Sequence, residues 1–134
     1  MVCMLAGGPI SWSSTLQKTC AQSTAEAEYM ALADVVKEAI WLRNKVTDCG
    51  VPQTSATPVH EDNQACILLA RSGYNHRRVK HVDVRHHLVR DAIDDGVVTL
   101  LDTDTKDHLA GLFTKNVQGD QFQAIVSELM HHAL

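Results

Sequence analysis

The chain has 134 residues, within the commonest size of a single domain, and its 45% hydrophobic content can fill one core. Its formal charge of −4 at pH 7 argues against a general polyanion binder, so any nucleic-acid contact must come from a local patch. No apolar run approaches the ~18 residues of a membrane span, so neither a transmembrane helix nor a membrane partner is expected.

The predicted elements follow in order as one α/β domain over residues 1–134. Val2 to Leu5 and Ile10 to Ser13 flank Gly7-Gly8-Pro9, which is a hairpin signal. A long helix is predicted from Thr24 to Asp48, closed by Gly50 and Pro52. Ser23 is a favoured N-cap and Glu26 stands three residues later, the pattern of a capping box. Ala25, Tyr29, Leu32, Val35, Ala39, Leu42 and Val46 recur at helical spacing and mark its core stripe. A strand from Ala56 to Glu61 leads into a helix from Asn63 to Arg71. A helix from Val82 to Asp94 ends before Gly96, and Val97 to Leu101 is a strand rich in β-branched residues. Thr105 can cap a helix carrying Gly111. Gln118 to Leu134 reads as a terminal helix with Phe122, Ile125, Val126 and Leu129 inward.

Two carboxylates stand out. Glu28 falls on the core stripe, beside Tyr29 and one turn before Leu32. A buried carboxylate is costly unless paired or bound to metal, so Glu28 is either a metal ligand or a residue at the solvated rim of the stripe. Asp62 ends a strand and precedes a helix. It is either an N-cap or a ligand at the carboxyl end of a strand, where α/β folds gather their ligands. Carboxylates converging from a helix and a strand end suit a hydrated divalent cation. Glu61, the neighbour of Asp62, should point to the opposite strand face.

Together the segments AQSTAEAEYMALADVVKEAIWLRN, EDNQACILLA, RVKHVDVRHHLVRDAI and LAGLFTKNV resemble the ribonuclease H domain of a copia-type (Pseudoviridae-like) retrotransposon polyprotein. GGPISWSSTLQKTCAQS fits the same pattern, and the segments run in order over about the whole chain. The resemblance implies a ribonuclease H-like mixed sheet, flanked by helices, with the second to fifth strands present and the first missing at the N-terminus. It also implies a family activity: cutting the RNA strand of an RNA–DNA hybrid with two Mg²⁺ ions held by four acidic residues. Glu28 matches the helix glutamate and Asp62 the strand-end aspartate, which makes them the catalytic and metal residues carried over. The first-strand aspartate has no counterpart, and Gly111 in Leu109-Ala110-Gly111-Leu112 occupies the position of the last one. The expectation is therefore weak or absent Mg²⁺ binding and a catalytically inactive pseudoenzyme. The rival reading is a residual Mg²⁺-dependent endoribonuclease, helped by Asp107 one turn before Gly111.

The basic run from His76 to Arg90 offers Arg77, Arg78, Lys80, His81 and Arg85 as candidate nucleic-acid contacts, the partner being an RNA–DNA hybrid or another nucleic acid. The alternative is a solvated helix face balanced by Asp91, Asp94 and Asp95. The missing strand leaves sheet edges open to a protein partner or to self-association, unless its two neighbours pair directly into a four-stranded sheet. Cys3, Cys20, Cys49 and Cys66 lack paired zinc spacing and read as reduced thiols of an intracellular protein, cytoplasmic or nuclear.

Overall fold

Ser23 starts the longest helix, α1 (Thr24–Asp48), with its backbone extended and its hydroxyl accepting from the Glu26 N–H at 3.1 Å. Capping of this kind satisfies one of the four N–H groups that a helix leaves over at its start. The helix closes at Cys49, and Gly50 then turns the chain with φ of 88°, a conformation that glycine adopts without steric cost. The structure is a computed structural model and describes residues 1–17, 21, 23–72, 80–105, 109–113 and 118–131.

The remaining elements are β1 (Val2–Leu5), β2 (Gly8–Trp12), β3 (Thr57–Glu61), α2 (Gln64–Arg71), α3 (Lys80–Asp94), β4 (Val98–Asp102), a short 3₁₀ helix (Leu109–Phe113) and α4 (Asp120–His131). The fold is mixed α/β. The chain divides into two compact units, Thr19–Asp102 and the pair of segments Met1–Lys18 and Thr103–Leu134.

In the larger unit β3 and β4 pair in parallel, with Val59 opposite Leu100 and Glu61 opposite Asp102. The Thr57 N–H donates to the Val97 carbonyl at 2.9 Å. That register turns the backbone groups of Thr57, Val59 and Glu61 toward β4 and those of Pro58 away, so the proline costs the ladder nothing. A parallel pair needs a long crossover, which α2 and α3 supply. The core gathers Leu32, Ala33 and Val36 of α1 with Val59, Cys66, Val89, Val98 and Leu100. Its buried α1 line differs from the stripe read in the sequence: Ala33 and Val36 are fully buried and Val35 only half. The reason is that α1 packs against β3, α2 and α3 at once, which covers a wider arc of the helix than one stripe.

Arg43 ties α1 to the loop before β3. Its guanidinium donates to the Ser55 carbonyl at 2.8 Å, the Thr57 Oγ1 at 2.8 Å and the Gln53 carbonyl at 3.2 Å. A rigid fork of donors suits several fixed acceptors better than a lysine would.

In the smaller unit β1 and β2 form an antiparallel hairpin, with a register shift between Cys3 and Met4 that leaves Ile10 as the extra residue of a bulge. Ala6 and Gly7 make its turn with φ of 51° and 82°. Positive φ at both central positions marks the turn whose twist suits a two-residue hairpin. α4 packs on β2 and on the 3₁₀ helix, burying Ile125 and Leu129. Phe122, expected inward, is 47% exposed, because it lies in the first turn of α4, before that buried pair. The helix expected around Gly111 is the five-residue 3₁₀ segment.

The single mixed sheet implied by the resemblance is corrected here, as is the four-stranded alternative. Among the described residues the strands make two separate two-stranded sheets, β1–β2 and β3–β4. The cause is local: β1 and β2 close on each other through two residues at little loop cost, while β3 and β4 are joined by their own crossover.

Two substitutions test these contacts. Ala6 is an alanine held in a left-handed conformation, which costs roughly 1 kcal/mol. Ala6→Asn should stabilise the hairpin by about 0.5–1 kcal/mol in chemical denaturation. Arg43→Ala should cost about 1–3 kcal/mol by the same measurement, since it strips donors from partly buried acceptors. An unchanged midpoint for Arg43→Ala would mean that the loop is held by its other contacts.

Candidate carboxylate site

Each candidate ligand owes its place to a local rule. Glu28 lies one turn inside α1, directly before the buried Tyr29, and is half-buried. The rim and the stripe therefore both describe it, since part of the residue stays in water. Asp62 stands just beyond β3, also half-buried. It is not the cap of α2. Asn63 is, with its side-chain oxygen accepting from the Cys66 N–H at 3.1 Å. The capping task that the sequence offered to Asp62 falls to its neighbour.

The buried carboxylate is Glu61, 7% exposed. It shares the inward face of β3 with Val59, two residues earlier, as strand alternation requires. Its Oε1 accepts from the Asn63 N–H at 3.1 Å, and its charge acts on the Cys66 thiol. Burial pushes the Cys66 thiol well above its ordinary value of 9.0, and the charges of Glu61 and Glu28 push it further. The start of α1, the end of β3 and the start of α2 therefore converge on one thiol. Tyr29 is also pushed up from 10.0, first by burial and then by Cys66, against an opposing pull from Arg90. Its ring stacks on buried His86 with centroids 4.9 Å apart and planes 21° apart. The sequence held one signal for Glu61, its i, i+2 phase with Val59. Nothing in the sequence linked it to Cys66.

The basic run is only partly described. Arg77 and Arg78 lie outside the described residues, as does Asp107. Lys80 and His81 lie in the first turn of α3, with only their backbone described. Arg85 is half-buried, and His86 turns inward rather than joining an outer stripe. Further along, Arg90 pairs with Asp94 at 3.6 Å on the exposed face. Gly111 is in the smaller unit, and a Cβ added to it meets nothing within 4 Å.

Two Mg²⁺ ions held about 3.5–4 Å apart need a larger set of carboxylates than Glu28 and Asp62 provide. No group of three or more His, Cys, Asp or Glu that could hold a metal ion occurs among the described residues. These residues do not fit a two-ion centre. No helix among the described residues is long and apolar enough to cross a membrane. Cys3, Cys49 and Cys66 are free thiols, and Cys20 lies outside the described residues.

The chain is 40% identical over 118 residues, 88% of its length, to the retrovirus-related Pol polyprotein from transposon TNT 1-94 of Nicotiana tabacum. It is 31% identical over 121 residues, 90% of its length, to the retrovirus-related Pol polyprotein from transposon RE1 of Arabidopsis thaliana. The chain spans 9% and 8% of those two relatives. A 38-residue stretch, 28% of the chain, is 53% identical to 27% of the secreted RxLR effector protein 161 of Plasmopara viticola. No family model matches the chain, and no solved structure matches it. Its homologues are retrovirus-related Pol polyproteins of plant transposons, and the chain is retroelement-derived.

The shifted acids give a pH prediction. Cys66 and Tyr29 both bind their protons more tightly folded than unfolded. Their contribution to stability is complete below the unfolded values and is lost as pH rises past 9.0 and then 10.0. Urea denaturation between pH 8 and 11 should show stability falling by roughly 1.4 kcal/mol per pH unit for each group once its unfolded form ionises. Cys66→Ser and Tyr29→Phe should each remove one step of that decline. A decline unaltered in both variants would place its origin elsewhere.

Proposed function

We propose that this retroelement-derived chain is a ribonuclease H-like protein without catalytic activity, acting as a protein- or nucleic-acid-binding module inside the cell. The observation that carries the reading is Gly111. At the position matching the family's last aspartate, the chain has no side chain at all. Glu28 and Asp62 remain as a catalytic remnant that can hold at most one hydrated Mg²⁺, since Mg²⁺ accepts one or two carboxylates together with waters and phosphates. One weakly held ion stabilises the attacking or the leaving oxygen of a phosphodiester, not both. Nucleic-acid contact rests on the basic run, with Arg85 and the start of α3 as its described part. A cytoplasmic or nuclear setting accords with the scattered spacing of Cys3, Cys20, Cys49 and Cys66 in the sequence.

The alternative is a residual Mg²⁺-dependent endoribonuclease acting on RNA–DNA hybrids, which would have to recruit another carboxylate. A hybrid-cleavage assay in Mg²⁺ or Mn²⁺ separates the two. Cleavage by the unaltered chain should stay at background. Gly111→Asp restores the missing side chain type, and its Cβ has room; that variant should still show little turnover, since the first-strand aspartate has no counterpart. Strong cleavage lost in Glu28→Gln or Asp62→Asn would establish the nuclease reading instead.

A further inference from the structure

Short parallel sheets expose their outer edges, and an exposed edge is a template for another strand. β4 has the composition for such pairing. Val97, Val98, Leu100 and Leu101 form a nearly uncharged run with Thr99 at its centre, bounded by Asp95 and Asp102. The register fixes which of its backbone groups face outward. The Val97 carbonyl accepts from Thr57, so Val97, Thr99 and Leu101 turn toward β3 while Val98, Leu100 and Asp102 turn away. The Leu100 carbonyl is therefore the central outward acceptor of that edge. It accepts from Arg71 Nη2 at 3.2 Å. At the end of the same edge, Gln64 Nε2 donates to Asp102 Oδ2 at 3.3 Å. Gln64 and Arg71 are the first and last residues of α2, two turns apart on one helix face. They reach successive outward residues of β4.

We propose that α2 is an edge guard: Arg71, with Gln64, occupies the outer edge of β4 and so prevents it from pairing with β4 of a second copy. The occupant follows from symmetry. Two β4 strands meeting antiparallel about Leu100 satisfy the same edge on both chains. Arg71 is the decisive residue, because it takes the carbonyl at the middle of the strand, where a foreign N–H would have to donate. Gln64 acts at the rim through a side chain and contributes less.

The guard is tested by sedimentation velocity over a range of concentrations on the full chain. Arg71 is exposed at a helix end, so Arg71→Ala should fold, and circular dichroism checks this. Arg71→Ala should raise the self-association constant by about tenfold or more over the unaltered chain, and Gln64→Ala by less. Arg71→Lys, which keeps a donor and the charge, should lie between. Adding Leu101→Lys to Arg71→Ala places a charge on the exposed face of β4 and should return association to the starting value. The proposal is overturned if folded Arg71→Ala associates no more than the unaltered chain, or if Leu101→Lys fails to reverse a rise. Should Arg71→Ala prove unfolded, Arg71→Lys decides alone: no increase rejects the guard.

Discussion

A parallel pair of strands is stable only when its faces are covered, and β3–β4 is the pair around which the larger unit is organised. Two strands give little ladder energy, so the helices must supply most of the burial. α1 does this with a line of small and branched residues, Ala33, Val36 and Ala39, that lets its backbone come close to its neighbours. Val59, Val98 and Leu100 meet it from the sheet, and Cys66 and Val89 from the crossover helices. Aromatic residues are scarce in the chain, and among the described residues Tyr29 is the sole one in this cluster. The packing is therefore a matter of close approach between aliphatic surfaces rather than of large side chains filling gaps.

The same arrangement sets the chemistry at the carboxyl end of β3. Val59 and Glu61 share a strand face, so whatever buries Val59 also buries Glu61. A buried carboxylate needs donors, and it finds the Asn63 N–H. Asn63 in turn caps α2, whose Cys66 N–H it accepts. Strand end, turn and helix start thus share one small network. Glu28 adds its charge to that of Glu61 on the Cys66 thiol from α1. No group of three or more His, Cys, Asp or Glu that could hold a metal ion joins them among the described residues.

α2 then serves three neighbours at once. Its buried face, Cys66, Ile67 and Ala70, completes the core. Its first turn anchors the Glu61–Asn63 network. Its ends reach β4 through Gln64 and Arg71. An eight-residue helix is too short to be stable alone, so each of these contacts depends on the others.

The sequence by itself determined the elements. The bounds of α1 follow from Ser23 and Gly50, and the helix from Gln64 to Arg71 and the strand ending at Glu61 lie within a residue of their predicted limits. Capping, glycine and periodicity act over a few residues, and such signals are complete within a short window. The identity of Glu28 and Asp62 as candidates was legible for the same reason, since each belongs to a local motif. Tertiary structure alone decided which strands pair, because pairing depends on which edges the crossover brings together and not on any one segment. It decided that Asn63 rather than Asp62 caps α2, a choice between adjacent residues that hinges on where β3 stops. It also decided that Glu61, read from the sequence only as a neighbour facing the other way, is the buried carboxylate: its partner Cys66 lies on the following helix, and only packing brings the thiol to it.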